Sequence, residues 1–133
     1  MWKTMFTLMK NNTGAVAPWE ARPAKKGAYQ AGQVLTVSGG MLAPITTLST
    51  KTPEFLCMQS KTVEEAGDNL NVVAIDKDTV YEADLIDNAS GLNLGEKMAV
   101  AAGGLGVTTG AGTFFVLDWD GIEIGNRVRG RFI

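Results

Sequence analysis

A chain of 133 residues has room for one domain and one modest core, because a chain of this size buries roughly two thirds of the surface it exposes when unfolded. Hydrophobic residues at 45% and charged residues at 20% are ordinary globular proportions, far from those of a disordered chain. The net charge of −2 is unevenly spread: residues 1–27 carry +4, residues 28–126 carry −9, and Arg127, Arg129 and Arg131 make the end basic.

Histidine is absent and Cys57 is the single cysteine, so Ser-His-Asp and Cys-His catalysis, the common zinc and haem ligand sets and an intrachain disulfide are all excluded. No cofactor is expected. A lone thiol fits synthesis in a reducing cytoplasm, and its apolar setting, Phe55-Leu56-Cys57-Met58, reads as a buried, inert side chain. No apolar run is long enough to span a membrane. The first ten residues have neither the continuous apolar stretch nor the small-residue cleavage site of a signal peptide.

Residues 1–27 are expected to form an extended N-terminal arm, with 28–133 as the β-rich domain. Asn11-Asn12-Thr13-Gly14 is a turn signal, and Pro18 and Pro23 stop any helix or central strand. Yet the segment holds Trp2, Phe6 and Trp19, whereas linkers are poor in aromatics. Such an arm either wraps back on its own domain or anchors on a partner. The aromatic content points to the second, with Trp2, Phe6 and Trp19 as anchors and Arg22, Lys25 and Lys26 as charged contacts.

From Gly27 onward the apolar period is two. Gln33–Val37 is a strand stopped by Ser38-Gly39-Gly40, with Met41–Pro44 as its hairpin partner. Glu54–Gln59 predicts a short strand, and Thr62–Leu70 is the one helix candidate, ended by Gly67. Asn71–Asp76 and Thr79–Ile86 follow as strands; the second puts Val80, Glu82, Asp84 and Ile86 on one face, so its acids meet water or a basic partner. Lys97–Ala101 is a strand, and Leu105–Thr108 is expected to pair with Thr113–Leu117. The final run places Arg127, Arg129 and Arg131 on one strand face, a second partner-binding patch. Short strands punctuated by sixteen glycines predict an all-β fold, a small β-sandwich or barrel of short antiparallel strands.

The acid pairs Asp76-x-Asp78, Glu82-x-Asp84 and Asp118-x-Asp120 are better explained as turns or solvated faces than as a calcium site, since no segment fits the EF-hand pattern. No metal site is expected. The glycines around Gly103-Gly104 lack the helix that a phosphate loop needs. Nucleic acid is not expected as a partner, because the acidic body would repel it. The basic ends better match the acidic surface of a neighbouring copy or another protein.

The segment from Gly27 to the C-terminus resembles the capsid decoration, or cement, proteins of tailed bacteriophages. The likeness lies in Ala31-Gly32-Gln33-Val34-Leu35 with its Gly-Gly turn, in Ala83-Asp84-Leu85, and in Gly95-Glu96-Lys97-Met98-Ala99-Val100. It continues in Gly112-Thr113-Phe114-Phe115-Val116-Leu117 and in Gly125-Asn126-Arg127-Val128. The arm departs from the compact members of that group. The resemblance implies a structural virion protein, not an enzyme, that binds the outside of an assembled capsid. It would stabilise the shell by bridging subunits of the major capsid protein, as a self-associating protein, often a homotrimer. The alternative is a tail, baseplate or fibre component, or a carbohydrate-binding surface module.

Overall fold

A computed structural model describes residues 6–11 and 19–133. Among these residues there is no helix, and thirteen strands form two main sheets and a ribbon. The strands are β1 (Phe6–Asn11), β2 (Glu20–Pro23), β3 (Gly27–Tyr29), β4 (Val34–Ser38), β5 (Met41–Pro44), β6 (Phe55–Cys57) and β7 (Lys61–Val63). They continue with β8 (Asn69–Ala74), β9 (Thr79–Asp84), β10 (Lys97–Val100), β11 (Val107–Thr108), β12 (Phe114–Trp119) and β13 (Arg127–Phe132). The six-stranded sheet has the order β1-β9-β13-β12-β10-β11, the five-stranded sheet β2-β8-β6-β4-β5, and β3 pairs with β7. All ladders are antiparallel, as expected for an all-β chain of short strands.

Both sheets curl. A parallel bridge between Ala24 and Leu42 brings the two edges of the five-stranded sheet together, and one between Leu85 and Val107 draws β11 back to the end of β9. Edges that meet leave fewer unpaired backbone groups to recruit stray strands.

The core is layered by strand parity. Val34, Leu56 and Val73 stand opposite one another on one face of the five-stranded sheet, and Leu35, Cys57 and Val72 occupy the other. Val34 and Leu56 join the core shared with the six-stranded sheet. Leu35, Cys57 and Val72 join a second core with Ala24, Tyr29, Leu42, Val63 and Leu70, under the β3–β7 ribbon. This is why Val34-Leu35, Leu56-Cys57 and Val72-Val73 are unbroken apolar pairs: strands covered on both faces lose the polar alternation. Cys57 is fully buried, and burial pushes its thiol pKa up, which keeps it protonated.

The shared core centres on aromatic rings. Phe132 lies 5.2 Å from Phe114, 5.6 Å from Tyr81 and 5.9 Å from Phe6, centroid to centroid. Gly130 makes room for this packing: a Cβ there would fall 2.4 Å from the Phe115 carbonyl oxygen and 2.8 Å from the Phe114 ring. The β4–β5 hairpin forms as expected, and Gly39 and Gly40 both take positive φ, +61° and +79°, at its turn.

Three expectations are corrected. The helix over Thr62–Leu70 does not form; Lys61–Val63 pairs with β3, a turn at Gly67 follows, and Asn69 starts β8. A helix this short is too costly to nucleate, whereas two strands bury Val63 and Leu70 completely. Leu105–Thr108 does not pair with Thr113–Leu117, because β10 lies between them and hydrogen-bonds to both. Phe6, expected as an anchor on a partner, is instead 2% exposed and belongs to the chain's own core. β1 runs along β9, and the Phe6 N–H donates to the Gly32 carbonyl at 2.7 Å. β1 and β2 are edge strands of the two sheets. Burying a phenylalanine in a ready aromatic cluster is worth roughly 1.5–3 kcal/mol, reason enough for Phe6 to join the chain's own core.

Candidate functional site

The outward face of the six-stranded sheet carries a ladder of arginines and acids. Register sets Arg127 opposite Asp84, Arg129 opposite both Glu82 and Asp118, and Arg131 opposite Phe115. A bulge in β12 between Val116 and Asp118 makes this possible. Without the extra residue, Asp118 would share the inward face of Phe114 and Val116. With it, Trp119 packs against the core and Asp118 turns outward to Arg129.

Arg127 donates through Nη1 to Asp84 Oδ1 at 2.7 Å and through Nε to Glu82 Oε1 at 3.1 Å. Arg129 spreads its donors over three carboxylates: Glu82 at 3.0 Å, Asp118 at 3.0 Å and Asp120 at 2.6 Å. The two arginines differ in weight. Asp118 and Asp120 are 66% and 53% exposed, so their pairs contribute little to stability. Asp84 is 0% exposed, and its Oδ2 has no hydrogen-bond partner among the described residues, so its charge depends on Arg127. Burial raises the Asp84 pKa above the ordinary carboxylate value, opposed by Arg127. The hydrogen bond from Arg129 lowers that of Asp120. A carboxyl-detected NMR titration is therefore expected to show the Asp84 midpoint above, and the Asp120 midpoint below, that of a free aspartate.

Arg127 and Arg129, expected to face a partner, are thus committed to the chain's own acids. The basic partner that Glu82 and Asp84 called for is the C-terminal strand itself. Arg131 differs. Its guanidinium stacks over Phe115, 5.7 Å from the ring centroid, and it has no ion pair among the described residues. Asp76-x-Asp78 is a turn, with the Asp78 N–H donating to Asp76 Oδ1 at 2.8 Å.

The other expected contacts gather at the edge of the five-stranded sheet. Trp19 is 58% exposed immediately before β2; Arg22 is an exposed residue of that strand, and Lys25 and Lys26 follow it. Arg22 pairs with Glu20, and Lys25 reaches Ser38 Oγ at 3.2 Å. Pro23 suits an edge strand, where a missing N–H need not break a ladder. Trp2 lies outside the described residues.

Two features were not singled out in the sequence. The loop from Ile45 to Glu54 frames an open groove of about 370 Å³ lined by Thr36, Thr46, Thr47, Ser49, Thr50 and Thr52 with Lys51. None of its lining residues is aromatic, so it lacks the stacking platform a carbohydrate site would use. The loop after β12 presents Ile122 and Ile124 to solvent, 38% and 63% exposed. The Ile-Glu-Ile triplet between Gly121 and Gly125 was the available signal. No protein-family model matches this sequence, and comparison with curated proteins gives no match.

Proposed function

We propose that the protein is a non-catalytic structural component of a bacteriophage virion that attaches to the outside of an assembled capsid and bridges major capsid subunits. The observation that carries a binding role is the exposed Trp19 beside Arg22, Lys25 and Lys26 at the sheet edge. A tryptophan left in water next to surface cations is a poor contributor to its own fold and a good anchor for another protein. The capsid as the partner rests on the sequence resemblance set out above.

Purified capsids lacking the protein provide the test. Added protein is expected to co-sediment with them and to raise their resistance to heat or chelator. Trp19→Ala combined with Arg22→Glu is expected to weaken attachment by about tenfold or more while leaving the melting temperature unchanged. Attachment at wild-type strength by that variant would remove β2 as the contact, and no attachment of the wild type would remove the capsid reading.

A further inference from the structure

The outward face of β12 and β13 has two ends of opposite character. At one end Phe115 stands between Arg131 and Lys97 in direct register, all three on the same face. Leu94, 72% exposed, precedes Gly95, where an added Cβ would fall 3.3 Å from the Phe115 ring. This end is apolar and basic, with Glu96 next to Lys97 in sequence. At the other end the outward acids Asp118 and Asp120 pair with Arg129, and the loop that follows them carries exposed Ile122 and Ile124 on either side of Glu123.

The acidic end is held in shape. The Glu123 N–H donates to Asn126 Oδ1 at 2.9 Å, the Ile124 N–H to Asn88 Oδ1 at 2.8 Å, and the Ala89 N–H to the Ile122 carbonyl at 2.7 Å. The Gly125 N–H and Leu85 carbonyl add a fourth tie at 2.9 Å. A free loop would turn its isoleucines inward to escape water. This one is pinned by hydrogen bonds that hold them out, and a pre-ordered apolar contact loses little entropy on docking. Charge is also unbalanced at both ends. Asp118 and Asp120 both pair with Arg129, and among the described residues Glu123 has no ion pair and Arg131 no carboxylate.

We propose that a second copy of this chain docks across this face with two-fold symmetry. The Ile122–Ile124 loop of each copy packs on Leu94 and Phe115 of the other, and Glu123 meets Arg131. A surface that carries both halves of a complementary pair, at opposite ends, closes on itself when a copy is rotated by half a turn, and each contact occurs twice. This dimer uses a different surface from the β2 edge and does not depend on the capsid reading.

Sedimentation equilibrium of the full chain tests it. The wild type is expected to be a dimer that dissociates on dilution and weakens with added salt. Glu123→Arg and Arg131→Glu, each alone, are expected to weaken association by about tenfold or more. Mixed together they are expected to form a heterodimer of wild-type strength, because one pair is then exchanged and the other native, and both are opposite in sign. Ile124→Ser is expected to weaken the dimer without altering the melting temperature. A monomer at millimolar concentration, a trimer, or failure of the mixed variants to recover would each overturn the proposal.

Discussion

Replacing Phe132 by alanine is expected to destabilise the protein by about 3–5 kcal/mol, the range for emptying a large aromatic site in a packed core. Phe132 touches Phe6, Tyr81 and Phe114 at once, and all four side chains are at most 2% exposed. The rings come from β1, β9, β12 and β13, so collapse around the missing ring would need four strands to shift together. Edge and tilted ring contacts worth about 0.5–1.5 kcal/mol each are lost besides the transfer term. Single domains have only about 5–15 kcal/mol of net stability, so the variant should be close to unfolding at body temperature. Urea unfolding followed by tryptophan fluorescence would measure it. A loss below about 1 kcal/mol would mean that the rings repack freely.

Arg127→Ala should be nearly as damaging for a different reason. It leaves Asp84 buried without a counter-ion, a change that typically costs about 3–5 kcal/mol. The pH dependence separates this from lost packing. Burial already holds the folded-state pKa of Asp84 above its unfolded value, and without Arg127 it rises further. An acid with a raised folded pKa favours folding in its protonated form, and that benefit is lost as pH rises through the folded value. The deficit of the variant should therefore be full at neutral pH. It should shrink as pH falls toward the ordinary carboxylate range, where Asp84 is neutral. A deficit independent of pH would assign the loss to the arginine stem instead. Arg129→Ala should cost less, since Asp118 and Asp120 return to water when it goes.

These two sites differ in how far the sequence foretells them. Period-two patterning and Gly-Gly punctuation locate the hairpin of β4 and β5, and alternation in Thr79–Asp84 and Arg127–Phe132 locates β9 and β13. The unbroken apolar pairs in β4, β6 and β8 were legible as strands, and the structure adds that each pair is divided between two cores. Thr62–Leu70 misled because a short apolar-polar run suits either period, and only the neighbouring β3 and the second core favour the strand. The partner-binding residues split in the same way. Trp19, Arg22, Lys25 and Lys26 stay at the surface, while Phe6, Arg127 and Arg129 are taken up by the fold itself.

Residues 127–131 hold the reason. Alternation alone places Arg127, Arg129 and Arg131 on one face of a strand, because side-chain direction is a local property of extended backbone. Whether those cations are free depends on what stands opposite. That follows from the register of β13 against β9, some 45 residues away in the chain for the Arg127–Glu82 pair, and from one extra residue in β12 that turns Asp118 outward. Local sequence carries period, turns and composition, so the all-β class and the positions of β4, β5, β6, β9, β10, β12 and β13 were within its reach. Register, bulges and edge closure are long-range choices made by the whole core at once, and they set Arg131 over an aromatic ring while giving Arg127 and Arg129 to acids.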